Sequence, residues 1–106
     1  KQTYHMINSE TLKSLRSHAI LVNIARGDII DEKALITALE CGQIAGAGLD
    51  VYEFEPEVPK VFKEMQNVTL LPHLGTAAYE VRVDMGLMAV QNLIAFADCL
   101  DLPNQV

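Results

Sequence analysis

The chain has 106 residues, half of them hydrophobic and 21% charged, which is typical of one soluble globular domain with a modest core. Its formal net charge of −6 argues against nucleic-acid binding and against an anionic membrane surface, because both need clustered basic residues. Its apolar runs fall short of the roughly 20 residues that cross a bilayer, and its cysteines and histidines have no metal-ligand spacing, so we expect a cytoplasmic protein with reduced thiols and no metal.

In chain order, the first half of the sequence predicts a helix, a strand and a second helix. Asn8 or Ser9 can cap the first helix. The run AILVNIA over residues 19–25 is almost continuously apolar, which predicts a parallel strand buried on both faces. Asp31 can cap the next helix, and Gly42 is placed to end it.

The second half predicts two more strands and a long helix. QIAGAGLDV (43–51) predicts a strand, and a loop rich in acids and prolines comes after it. A short helical turn precedes the third apolar run, VTLLP (68–72). From Thr76 the sequence predicts about five turns of helix. One helix face is marked by apolar residues: Val81, Met85, Met88, Ala89, Leu93 and Phe96.

Strands separated by helical segments predict βαβ units and a parallel sheet. The fold class is therefore α/β, as part of a doubly wound, Rossmann-like sheet. Three parallel strands make an unusually small sheet with two exposed edges. We therefore expect the chain to be a portion of a larger protein.

Each predicted strand ends beside a side chain that could take part in catalysis. Arg26 follows the first strand, Asp50 and then Glu55 follow the second, and His73 follows the third. Ligands bind outside the carboxyl ends of strands in open parallel sheets, so these residues are expected at one edge. Structural explanations also exist: a surface or ion-paired arginine, an aspartate that caps a turn, a solvated acidic loop and a hydrogen-bonded histidine.

Considered together, these side chains suit a small organic acid. Arg26 offers a planar fork of donors that matches a carboxylate. His73 can give or take a proton near neutral pH, and a carboxylate such as Glu55 would fix its tautomer. This set could anchor a 2-oxo acid and protonate its carbonyl oxygen. Hydride would have to come from a nicotinamide cofactor, because no side chain supplies it.

Three segments, VNIARGDIIDEKALITAL, GAGLDVYEFEP and NVTLLPHLGTA, closely resemble the D-isomer-specific 2-hydroxyacid dehydrogenases in order and spacing. HLGTA and FEPEVP are most similar to the glyoxylate and hydroxypyruvate reductases of that family. The resemblance implies a fold that is the C-terminal half of an NAD(P)-binding domain. It also implies NAD or NADP as cofactor, a small 2-oxo or 2-hydroxy acid as substrate, and a homodimeric parent protein with no nucleic-acid or membrane partner.

The resemblance also implies residue roles. Arg26 would bind the substrate carboxylate and 2-oxo group beside the nicotinamide, and His73, paired with Glu55, would be the general acid in reduction and the base in oxidation. Asp50 would meet the nicotinamide carboxamide. Gly75 would allow close backbone approach, and the backbone around two further residues would line the cofactor: Ile24 and Ala25.

The glycine-rich turn that seats the cofactor pyrophosphate in this family has no counterpart here. The sequence GAG (46–48) lies within a predicted strand, where close packing is its expected role. We therefore assign residues 1–75 to the later half of the cofactor domain. Residues 76–106 are assigned to a crossover helix and tail that return to a mostly missing substrate domain. The 106 residues by themselves are expected to have little or no turnover.

Two other interpretations remain open from the sequence. Some relatives of this family act as dinucleotide-sensing transcriptional co-regulators, in which the fold matters more than turnover. The chain could also be a truncated remnant without activity. The retained Arg26, Glu55 and His73 do not separate these interpretations from that of a reductase.

Overall fold

The computed structural model describes residues 2–105, which form two compact units, Lys1–His73 and Leu74–Val106. The predicted domain boundary after residue 75 and the crossover role of residues 76–106 stay predictions. The first unit contains, in chain order, α1 (Ser9–Lys13), β1 (Ile20–Asn23), a 3-10 turn (Gly27–Ile29), α2 (Glu32–Glu40), β2 (Gly46–Leu49), α3 (Lys60–Glu64) and β3 (Val68–Leu70). The second unit contains α4 (Tyr79–Ala97).

The helix ends agree with the capping residues in the sequence. The Asn8 side chain accepts hydrogen bonds from the backbone N–H groups of Glu10 and Thr11, which makes it the cap of α1. Asp31 caps α2 by accepting from the Ala34 N–H. Gly42, just beyond α2, has a φ of +66°, a left-handed conformation that glycine adopts without steric cost.

The three strands form one parallel sheet in the order β1-β2-β3. Each strand is shorter than the apolar run that predicted it. GAG lies within β2, as expected, and Gly46 explains part of that composition. A Cβ on Gly46 would lie 2.6 Å from the Asn67 carbonyl oxygen, so the backbones there are too close for a side chain.

The core of the first unit lies on one face of this sheet. α1 packs against α2, and α3 packs against β3. The buried cluster combines residues from the helices, one sheet face and the loops: Leu12, Ile30, Leu35, Ala38, Leu39, Ile44, Ala47, Leu49, Tyr52 and Phe62. This arrangement places the carboxyl ends of all three strands at the same edge.

The prediction that β1 is buried on both faces was wrong. Ile20 and Val22, and Ile24 just beyond β1, are between 65% and 71% exposed, whereas Leu21 packs against the core and Asn23 is buried. Alternate side chains of a strand point to opposite faces, and helices of the first unit cover one of them. The continuous apolar run indicated a strand that can be buried on both faces of the sheet. It could not show whether this chain supplies the elements that pack on both faces.

The second unit consists of α4 and the residues on either side of it. The apolar residues of α4 are not confined to the predicted face, because a second series recurs between them: Tyr79, Val83, Leu87, Val90 and Ile94. All of these side chains are exposed, as are most residues of the predicted face. Across residues 2–105, no helix combines the length and the apolar character needed to span a membrane.

Candidate active site

A cavity of about 540 Å³ lies at the carboxyl edge of the sheet in the first unit. The turn after β1 and the loop after β2 supply most of its lining, and one residue comes from the segment that follows β3. The lining residues are Arg26, Gly27, Asp28, Tyr52, Glu53, Phe54, Glu55 and His73. The structure therefore brings together Arg26, Glu55 and His73, which are far apart in sequence. A site at this edge agrees with the parallel strand order, since every strand delivers its next residue to the same side.

His73 and Glu55 form the central contact of this cavity. His73 Nδ1 lies 2.9 Å from Glu55 Oε2, and both side chains are partly open to solvent, at 47% and 37% exposure. An ionised carboxylate can only accept, so Nδ1 carries the proton in this pair and donates it. The hydrogen bond from His73, together with one from the Tyr52 N–H, holds the pKa of the Glu55 carboxyl below its ordinary value.

Arg26 lies in a turn that a buried asparagine shapes. The Asn23 side chain donates to the Arg26 carbonyl at 2.8 Å and accepts from the Ala25 N–H at 3.1 Å. The Arg26 guanidinium donates to the Ala25 carbonyl at 2.6 Å. No carboxylate in the described part of the chain is within ion-pairing distance of Arg26. Within residues 2–105, the cation therefore borders the cavity without a permanent anionic partner.

Tyr52 connects the elements that carry Glu55 and His73. Its backbone N–H donates to Glu55 Oε1 at 3.0 Å. Its buried hydroxyl lies 2.8 Å from the Leu71 carbonyl and 3.1 Å from the Leu49 carbonyl, so its single proton is shared between the two strand ends. Burial raises the pKa of the Tyr52 hydroxyl further above neutrality, where the group is a donor in any case.

A second histidine–glutamate pair holds the loop that carries Glu55. His5 Nε2 lies 2.8 Å from Glu53 Oε1, and these side chains are less exposed than the first pair, at 28% and 10%. The Glu53 N–H donates to the carboxylate of buried Glu32 at 2.9 Å. Tyr4 stacks on His5 with ring centres 3.9 Å apart. The loop is thus fixed through Glu53 by His5 and Glu32, which do not line the cavity.

The residues predicted to line a cofactor are distributed over both units. Ile24 and Ala25 are exposed beside Arg26 at the end of β1. Asp50 is buried at the end of β2, and its N–H donates to the Asn23 carbonyl. Gly75 belongs to the second unit. The cofactor role of each of these residues stays a prediction.

Sequence reasoning missed the residues that hold the site in place. Asn23 was a recognisable signal, because a polar side chain inside an apolar strand must find buried partners. Tyr52 offered a weaker signal, since a buried tyrosine needs a partner for its hydroxyl. Glu32 and His5 offered none: their partner Glu53 is distant in sequence, and a glutamate in the first turn of a helix is ordinary.

Known proteins similar to this chain include a characterised protein family and solved enzyme structures. Residues 1–75 match the model of the D-isomer specific 2-hydroxyacid dehydrogenase NAD binding domain. A glyoxylate reductase of Thermococcus litoralis is 48% identical over 106 residues, which is 100% of this chain and 32% of that protein. A glyoxylate reductase of Thermococcus onnurineus is 53% identical over 96 residues, 91% of this chain and 29% of its own length.

The solved structures agree with this match. The NADPH-dependent glyoxylate/hydroxypyruvate reductase of Sinorhizobium meliloti, in complex with NADP and malonate, superimposes with a TM-score of 0.94 at 41% identity. The match covers 99% of this chain and 33% of that enzyme. The apo D-mandelate dehydrogenase of Rhodotorula graminis superimposes with a TM-score of 0.93 at 36% identity, over 100% of this chain and 31% of its own. The chain thus spans about a third of the length of these relatives.

Proposed function

This chain belongs to the D-isomer specific 2-hydroxyacid dehydrogenase family, and we propose that it supplies the catalytic edge of an NAD(P)-dependent reductase of small 2-oxo acids. Glyoxylate and hydroxypyruvate are the substrates that the named relatives suggest. The observation that carries the proposal is the shared cavity, where an arginine with no ion-pair partner among the described residues lies with a histidine–glutamate pair. Such a set recognises a carboxylate and provides a proton beside it.

In the proposed reaction, Arg26 binds the carboxylate of the 2-oxo acid through its guanidinium fork. The carbonyl oxygen then lies toward His73, whose Nδ1–H is held by Glu55, so Nε2 is the nitrogen available to the substrate. His73 donates a proton to that oxygen as the carbonyl carbon is reduced, and the product is a 2-hydroxy acid. In the oxidation direction His73 accepts the proton of the hydroxyl group.

A reduced nicotinamide, when bound, would supply the hydride that the carbonyl carbon receives. The exposed Ile24 and Ala25 beside Arg26 offer an apolar surface that fits a flat ring at this end of the sheet. The described residues fit the reactive end of the cofactor and not its pyrophosphate, because the Gly46–Gly48 segment is a strand rather than a strand-to-helix turn. We therefore expect the 106 residues to turn over little substrate by themselves.

A chimera tests the proposal directly. The Thermococcus litoralis glyoxylate reductase aligns with all 106 residues, so its matching 32% can be replaced by this chain. We expect the chimera to oxidise NADH or NADPH with glyoxylate or hydroxypyruvate, as measured by absorbance of the reduced cofactor. The isolated chain is the matched control and should show less than about a tenth of that rate.

A folded chimera that binds the cofactor but reduces none of these acids would contradict the proposal. That result would favour the co-regulator interpretation, in which the dinucleotide is sensed rather than used. A chimera that cannot fold, while the unmodified relative does, would favour the remnant interpretation. Sedimentation of the active chimera would also test the proposed homodimer.

A further inference from the structure

Glu32 is a buried acid for which the proposed reaction has no use. It is the first residue of α2 and is 6% exposed. Burial raises the pKa of its carboxyl, because desolvation disfavours the charged form at this position. Its Oε1 accepts the Glu53 N–H at 2.9 Å. The acid therefore reaches from the helix start to the loop that carries Glu55.

The same peptide unit is contacted from a second direction. A Cβ on Gly27 would lie 1.9 Å from the Tyr52 carbonyl carbon and 2.4 Å from the Glu53 nitrogen. Real side chains never approach backbone atoms so closely, so the Gly27 backbone rests directly on the Tyr52–Glu53 peptide. Gly27 follows Arg26, and Glu32 begins the next helix. One short segment of chain thus holds this peptide by both packing and a hydrogen bond.

The Tyr52–Glu53 peptide leads directly to the acid–base pair. The N–H of Tyr52 donates to Glu55 Oε1 at 3.0 Å, and Glu55 Oε2 lies 2.9 Å from His73 Nδ1. The Tyr52 N–H belongs to the preceding peptide, which shares the Tyr52 Cα with the Tyr52–Glu53 peptide. A displacement of the Tyr52–Glu53 peptide is therefore passed through that Cα to one of the two groups that orient the Glu55 carboxylate. Glu32 is therefore connected to His73 by three hydrogen bonds and the covalent backbone of Tyr52 and Glu53.

We propose that Glu32 is a positioning residue that fixes the Glu55–His73 pair relative to the Arg26 turn by holding the Tyr52–Glu53 peptide. Its catalytic meaning rests on the proposed function, but the coupling itself is a property of this chain. Glu32 does not touch the cavity side of the loop. It acts through the peptide, and the acceptor oxygen matters rather than the negative charge.

Two substitutions of Glu32 separate the acceptor oxygen from the charge. Glu32→Gln keeps an oxygen that can accept the Glu53 N–H, whereas Glu32→Leu has a similar size and no acceptor. The matched controls are Glu40→Gln and Glu40→Leu at the exposed last turn of the same helix. His5 also supports Glu53, but through the side chain, so it stays unchanged in every variant.

The experiment is NMR spectroscopy of the 106-residue chain and its variants. In Glu32→Leu we expect the Glu53 amide to exchange with solvent on the order of tenfold faster than in the wild type. We also expect the pKa of the Glu55 carboxyl, followed through its carbon shift, to rise toward the ordinary glutamate value. Glu32→Gln and both Glu40 variants should leave these two quantities at their wild-type values.

The proposal is overturned if folded Glu32→Leu keeps the wild-type Glu55 pKa, or if Glu32→Gln fails to rescue it. If Glu32→Leu does not fold, the test is made on the wild-type chain. There we measure the scalar coupling across the hydrogen bond, between the Glu53 nitrogen and the Glu32 carboxyl carbon. Absence of that coupling overturns the proposal. In the chimera, Glu32→Leu should lower kcat more than it raises KM, since Arg26 is unchanged. An inactive chimera beside intact NMR coupling would refute the proposed function and leave this inference standing.

Discussion

The two histidine–glutamate pairs use glutamates of one loop, Glu53 and Glu55, and make the same kind of hydrogen bond, yet they differ in surroundings. His73–Glu55 is partly exposed and shares its cavity with the Arg26 cation. His5–Glu53 is less exposed and borders a cavity of about 600 Å³ whose charged lining is mostly acidic, with Asp31, Glu32 and Glu53 against Lys33. The first cavity also has three carboxylates and one cation, so the sum of charges does not separate the two cavities, but its cation is a planar arginine fork that matches a carboxylate, whereas the second has a lysine. The kind of cation beside each pair, rather than the pair itself, is what distinguishes the two cavities.

The largest effect on kcat is expected when the histidine of each pair is replaced in turn. Both have left-handed backbones, with φ of +56° at His73 and +48° at His5, so asparagine is the matched replacement because it tolerates that conformation. In the chimera, His73→Asn should lower kcat by about 10²- to 10⁴-fold, the usual contribution of a positioned acid–base group. His5→Asn should lower kcat by less than about tenfold, because His5 supports the loop from outside the cavity. Equal losses in steady-state assays would erase the distinction between the two pairs.

The next effect concerns the backbone contact behind the loop. Gly27→Ala forces a methyl group into the Tyr52–Glu53 peptide, and we expect a loss of at least about 3 kcal/mol in the free energy of unfolding. Gly48→Ala is the control, because its new Cβ would make an ordinary 3.7 Å contact with Val22. That change should cost less than about 1 kcal/mol. Urea denaturation measures both, and similar losses would show that the Gly27 contact is not the constraint described.

The smallest effect is a titration. The native pKa of Glu55 is lowered, chiefly by His73, so this pair stabilises the fold above the ordinary glutamate pKa and ceases to do so as pH falls through the lowered native value. His73→Asn should raise the Glu55 pKa, and His5→Asn should leave it in place. Carbon-detected NMR across the acidic range measures this pKa. A Glu55 pKa that is the same in the wild type and in His73→Asn would remove Glu55 as the partner of His73.

The cavity edge could be predicted because it depends on strand order and chain direction. Arg26, Glu55 and His73 each come after a strand, and the carboxyl ends of parallel strands lie on one side of the sheet. Their chemical roles stay predictions, whereas their shared cavity is observed. The helix caps at Asn8 and Asp31 could also be predicted from the sequence, because capping depends on residues that are close in sequence.

Features that depend on distant partners could not be predicted. Glu32 and Glu53 meet across a loop and a strand, and nothing local marks either as half of a contact. The prediction that β1 is buried on both faces failed for the same reason. An apolar run shows which side chains a strand can bury, but not which packing elements the chain provides to bury them. The side chains of α4 likewise form apolar series on more than one side, so the single face predicted from the sequence is not set apart from the rest of the helix.

The open face of the sheet has a surface relief that its register creates. β-branched side chains at Ile20 and Val22 form a ridge, and they are paired with Gly46 and Gly48, which form a trough on β2. Ile20→Thr and Val22→Thr would keep a β-branched side chain that suits a strand while replacing an ethyl and a methyl group, respectively, by a hydroxyl. The opposite face, which holds the core, would be untouched because side chains alternate. The first unit could in this way become a self-standing scaffold for studying the arginine–histidine edge.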